Sequence, residues 1–144
     1  MIESIEFTIP MCVVPKQADR SRIVHPDARN EFIRHYQPRK VKENARDLAT
    51  FCRRHVPSES WTGPVWLSVS FRYLWLKTHT KKERAGSFLK TTPPDVGNML
   101  KQLEDVLEAC RFVVNDAQFQ YKCIDKSYTG KAETWVLLQR ASDE

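Results

Sequence analysis

The segment "TTPPDVGNMLKQLEDVLEACRFVVNDAQF", residues 91–119, holds the residues with the greatest chemical reach. Asp95 follows a double proline, Lys101 lies further along an apolar-periodic run, and Asn115-Asp116 comes after that run. Two carboxylates brought side by side repel one another unless a cation sits between them. Magnesium suits such a pair, being hard and content with one or two carboxylates and several waters, and manganese is the alternative. The chemistry such an ion commonly serves is phosphoryl transfer, where it activates the attacking oxygen and steadies the leaving one. Lys101, about two turns into the helix, could complement a phosphate. Each residue also has a plain structural reading. Asp95 could be a helix N-cap contributing about 1 kcal/mol. Asn115-Asp116 could be an ordinary turn, and Lys101 a solvated helix lysine.

Whether the two acids meet depends on the elements that carry them. Val96, Met99, Leu100, Leu103, Val106, Leu107 and Cys110 form one helical stripe. From Asp95 to Cys110 such a helix rises roughly 22 Å. The stretch from Cys110 to Asp116 can span about 20 Å when extended. If "RFVVND" runs back antiparallel to the helix, Asp116 returns close to Asp95.

The remaining pattern is mixed. "SIEFTIP" alternates Ile5, Phe7 and Ile9 with Glu6 and Thr8, which predicts a strand, and Pro10 marks it as an edge strand or a bulge. Residues 22–24 and 32–36 flank the turn-rich "HPDARNE" and predict a basic hairpin. Val41, Ala45, Leu48, Ala49, Cys52 and Val56 predict an amphipathic helix over residues 39–56, closed by Pro57. Val65, Leu67, Val69, Phe71, Tyr73 and Trp75 share one face of a strand central to its sheet. "FQYKCI" and "ETWVLLQ" predict two closing strands around "KSYTGKA". The class is α/β (α+β): one domain over residues 1–144, with a single mixed sheet and two main helices.

Composition narrows the function. Lys+Arg number 23 against 18 Asp+Glu, a formal +5, which permits a nucleic-acid partner without demanding one. The four cysteines, Cys12, Cys52, Cys110 and Cys123, show no C-x-x-C spacing, which speaks against zinc and for buried free thiols in a reducing compartment. No leader pattern opens the chain, and no apolar run approaches membrane length. The expectation is a cytoplasmic protein.

The order Asp95-Val96-Gly97-Asn98, Lys101, Asp105, then Asn115-Asp116-Ala117-Gln118 resembles the RusA family of Holliday-junction resolvases. The opening "FTIPMCVVPKQ" is similar to that family's first strand and Pro-Lys-Gln turn. The resemblance implies an α/β fold, a homodimer, and magnesium-dependent cleavage of four-way DNA junctions by paired nicks. A two-fold dimer offers two symmetry-related sites for such a substrate. It implies that Asp95 and Asp116 are catalytic metal-binding aspartates and that Lys101 is a catalytic lysine. A third family aspartate falls on Gly97. That departure implies an impaired nuclease or, on the same fold, a non-catalytic protein that binds DNA structure.

Phosphate contacts need lysines and arginines. Lys16, Arg20 and Arg22 stand at the hairpin, and Arg34, His35, Arg39, Lys40 and Lys42 around its second arm. Lys77, Lys81, Lys82, Arg84 and Lys90 occupy the loop leading to Asp95. Phe88 lies within that loop as a surface on which an unpaired base could stack. Any one such run alone is more often a solvated face. Their convergence on one acidic pocket, together with the resemblance, favours contact with branched DNA.

Overall fold

Residues 1–17, 20–27 and 29–142 are described by the computed structural model. Strand β1 (Ile2–Ile9) buries Phe7 and Ile9 and exposes Glu6 and Thr8, as its alternation requires. It forms one edge of a five-stranded sheet ordered β1-β7-β4-β6-β5. Strand β4 (Val65–Leu74) is central, and it buries Val65, Leu67, Val69 and Phe71 to 2% exposure or less. It runs parallel to β6 (Phe119–Thr129) and antiparallel to β7 (Glu133–Ala141). Strand β1 pairs antiparallel with β7, from Ile2↔Ala141 to Ile9↔Thr134.

The core lies between this sheet and helices α1 (Arg39–Cys52) and α2 (Val96–Ala109). Leu48 and Cys52 of α1 and Met99, Leu103 and Leu107 of α2 are fully buried there with the β4 side chains. Each buried aliphatic or aromatic side chain contributes roughly 1.5–3 kcal/mol. Gln102 fixes the helices to one another, its Nε2 donating to Val41 O at 2.9 Å. The sheet's other face is open, and there Trp66 and Tyr121 stack at 5.2 Å in the exposed layer.

Three details depart from the sequence reading. Strands β6 and β7 are consecutive in the chain, yet β4 lies between them. The α2 crossover returns β6 parallel to β4 on one edge, so β7 must take the other. The chain therefore arches over the end of β4 at Gly130, where a Cβ would come within 3.3 Å of the Trp75 ring. Trp75 itself lies just beyond β4. Second, α1 stops at Cys52 and tightens into a 3-10 turn, Arg53–His55, ahead of Pro57. Third, the basic loop contains a short strand β5 (Phe88–Leu89), paired antiparallel with Tyr128 and Ser127 of β6.

The hairpin forms as a separate two-stranded sheet, β2 (Arg20–Val24) with β3 (Phe32–Tyr36). Its base is tied by Gln37, whose Nε2 donates to Gln17 O at 2.9 Å. No helix among the described residues is long and apolar enough to cross a membrane.

Candidate active site

Helix α2 supplies most of the site. Asp95 caps it, its Oδ1 accepting from Gly97 N at 2.6 Å. Gly97 sits in the first turn with ordinary helical backbone, since Gly63 is the glycine with positive φ among the described residues. Local folding therefore does not require glycine at 97. A Cβ there would approach Asp95 Oδ1 to 3.2 Å, which the carboxylate can relieve by a small rotation.

Lys101, Asp105 and Glu108 follow at i, i+4 and i+7 and so share one face of α2. The chain leaves the helix through Arg111, whose φ of 67° is left-handed. Arg111 N donates to Glu108 O at 2.9 Å and Phe112 N to Leu107 O at 3.1 Å, the paired bonds of a Schellman cap. Phe112 and Val113 then bury themselves, and Trp61 N donates to Phe112 O at 2.9 Å. The "NDAQ" turn comes next. Asn115 Oδ1 accepts from Ala117 N at 2.8 Å. Gln118 Oε1 accepts from Val114 N and Asn115 N, while its Nε2 donates to Trp61 O at 2.8 Å and Gly63 O at 3.0 Å. Asn115 and Gln118 hold the turn, and the half-buried Asp116 side chain is left to face α2.

Asp116 Oδ2 lies 3.2 Å from Lys101 Nζ, and Lys101 lies 3.2 Å from Asp105 Oδ1. Lys16 reaches in from the segment after β1, with Nζ 2.5 Å from Asp105 Oδ2. Its backbone N donates to Asn98 O, which fixes that segment against α2. Carboxylate oxygens of Asp105, Glu108 and Asp116 all lie within 4.8 Å of one another. Neighbouring oxygens on an octahedral magnesium are about 3 Å apart, so these side chains must draw together to hold one, and their all-oxygen donor set suits it. The hydrogen bonds that Lys101 donates to Asp116, then to Asp105, hold its ammonium above the ordinary pKa. Lys101 therefore stays a cation at neutral pH and cannot serve as a base.

The chain thus returns to α2. It brings Asp116 beside Lys101, Asp105 and Glu108, over the second half of α2. Asp95 is not in that group. It stands at the N-terminus of the helix, roughly 15 Å of axial rise from Asp105.

A family model of endodeoxyribonuclease RusA matches residues 12–139. The chain belongs to the RusA endodeoxyribonuclease family. No curated protein matches it significantly. RusA proteins are endonucleases that resolve Holliday junctions and require a metal, and the acidic group on α2 is consistent with that requirement.

Within this RusA domain the other candidate residues divide. Lys77, Lys81, Lys82 and Arg84 line one open concavity together with His79. Arg84 is partly committed, with Nη2 donating to Leu76 O at 2.7 Å. Arg22 and Arg34 pair across the hairpin. Arg20 begins β2, and its side chain lies outside the described residues. Lys16 belongs to the acidic group rather than to an outer surface. Lys90 is turned inward: Nζ donates to Tyr128 OH at 2.7 Å and Thr92 Oγ1 at 2.6 Å, over the Tyr128 ring. Phe88 is half-buried, with His79 edge-on at 5.0 Å and Tyr128 at 5.3 Å, so its ring is already occupied.

The sequence reading missed Glu108, whose signal was its i+7 spacing from Lys101. It also missed Lys126, whose Nζ donates to Thr92 O and Pro94 O at 2.7 Å each and pins the approach to Asp95. No spacing rule reveals that contact, because β6 and the proline turn meet only in the folded sheet.

Proposed function

We propose that this chain is a magnesium-dependent endonuclease that resolves four-way DNA junctions by paired symmetric nicks, acting as a homodimer and weakened by Gly97. The observation that carries the reading is the group formed by Asp116, Lys101, Asp105 and Glu108 in a chain of the RusA family. Manganese could replace magnesium on the same oxygen ligands.

Asp116 and Asp105 would hold the ion, which when bound supplies charge neutralisation and an activated water. Carboxylates that now pair with Lys101 and Lys16 would turn to the cation. That frees the Lys101 ammonium to face the scissile phosphate and steady its developing charge. Glu108 has no ion-pair partner among the described residues, and its carboxylate is the free acceptor for the proton of the attacking water. Asp95, the other aspartate of the reading, must release Gly97 N to reach a metal. Its role is therefore weaker without an acid at 97.

The test compares this chain with Gly97→Asp on a labelled four-way junction and on linear duplex, with magnesium. Slow junction-specific nicking by this chain, faster in Gly97→Asp by about tenfold or more, is the expected result. Tight junction binding with no nicks from either protein would establish a non-catalytic DNA-structure-binding protein instead.

A further inference from the structure

The β2–β3 arm has a gradient along its length. Its register sets Arg22 beside Arg34 and Val24 beside Phe32 on one face. On the other face it sets Ser21 beside His35 and Ile23 beside Ile33. Successive side chains point to opposite faces, so both faces run from polar or cationic groups near the body to apolar groups at the outer end of the strands, with a polar turn beyond them that carries His25, Asp27 and Glu31. Ile23, Phe32 and Ile33 are 58%, 50% and 62% exposed. Nearer the body, Arg22 and Arg34 line one concavity with Tyr36, Arg39 and Lys42. No acid among the described residues pairs with Arg22 or Arg34, and the Arg22 guanidinium lies 5.8 Å from the centre of the Tyr36 ring. The turn beyond is ordered by Asp27, whose carboxylate accepts from Arg29 N at 2.8 Å and Asn30 N at 2.9 Å.

A narrow ribbon gains nothing by holding three large apolar side chains in water unless something receives them. The cationic stem identifies the receiver as a polyanion. In an unbroken duplex these side chains would have to part stacked bases, at a cost of about a few kcal/mol per step. A branch point offers them an opening, because bases there lack a continuous neighbour. We propose that the β2–β3 arm is a wedge: Arg22 and Arg34 seat on backbone phosphates while Phe32, Ile33 and Ile23 enter the base stack at the branch point and unstack it. Apolar side chains inserted between base steps distort DNA in this way. The inference rests on the junction-nuclease reading and adds to it the device that recognises the branch.

The experiment uses the full chain in EDTA, so that no strand is cut, and a four-way junction carrying 2-aminopurine at the branch point. A second junction carries the probe in mid-arm. Binding is followed separately by anisotropy, and fluorescence is read at saturation. The wedge requires a several-fold rise at the branch point and none in mid-arm. It requires loss of that rise in Phe32→Ser/Ile33→Ser and, independently, in Ile23→Ser, each with a wild-type melting curve. Arg22→Gln/Arg34→Gln is expected to flatten the slope of log affinity against log salt by about 1.8. Junction binding without a branch-point rise, or an undiminished rise in the apolar variants, overturns the wedge alone. Absence of junction binding by anisotropy overturns the nuclease reading and the wedge with it.

Discussion

Asp116 and Glu108 approach the same point from different parts of the chain, one on a return turn and one on α2. Asp116→Asn removes the proposed metal ligand and a partner of Lys101. Magnesium should then raise the melting temperature far less than in the wild type, and junction nicking should fall by at least about a hundredfold. Glu108→Gln should leave most of the melting shift but slow nicking, since a proton acceptor is lost while two carboxylates remain. A thermal titration and a single-turnover assay separate the two effects. A different residue contributes to the loss of stability at alkaline pH. Burial, reinforced by neighbouring Cys110, pushes the Cys52 thiol from its ordinary 9.0 up to about 12. The folded chain therefore keeps a proton that the unfolded chain loses. The stabilisation is complete below the ordinary value and declines by about 1.4 kcal/mol per pH unit above it, until the folded thiol itself ionises. Denaturant unfolding across that window should show the decline, and Cys52→Val should make it shallower, the raised Cys12, Cys110 and Tyr73 supplying the rest.

The turn from Asn115 to Gln118 works as one element, and Gln118 is its anchor. Gln118→Ala leaves Trp61 O and Gly63 O without that donor and frees Val114 N and Asn115 N. The expected loss is about 1–3 kcal/mol in denaturant unfolding. Nicking should fall as well, although no ligand has been touched, because Asp116 is then no longer aimed. This element shows what could be read in advance and what could not. The α2 stripe and the alternation of β1 and β4 come directly from side-chain periodicity, which is why their positions agree with the sequence. The residues of "NDAQ" were equally visible, but their partners on the Trp61 segment were not, being more than fifty positions away in the chain. The approach of Asp116 to Asp95 could not be fixed in advance for a related reason. A chain-length limit says how far a segment can return, not how far it does. Here Phe112 and Val113 spend part of that reach in burying themselves. The contacts of Phe88 and Lys90 were hidden similarly, since composition marks a loop as basic and aromatic but cannot say that both will meet Tyr128.

For the molecule as a whole, one set of cations lies on the β2–β3 arm with the start of α1 and another lines the concavity after β4, while Asp105, Glu108 and Asp116 form an acidic group at α2. The formal charge of +5 understates this separation. Engagement of about six phosphates would give log affinity a slope near −5 against log salt, and a slope near zero would remove the case for DNA contact. Junction titrations at several salt concentrations measure it directly. Sedimentation of the free protein tests whether it is a dimer, as symmetric paired nicks require.

Lys126 is the feature with the widest reach. By clamping the two carbonyls ahead of Asp95 to β6, it makes the entry to α2 independent of the seventeen or so residues that bridge from β4. That bridge can lengthen, shorten or exchange its charges while the helix start keeps its place on the sheet, since a longer surface loop costs little. On the proposed function, a loop that meets DNA can then change its charges without moving the helix that carries the acids.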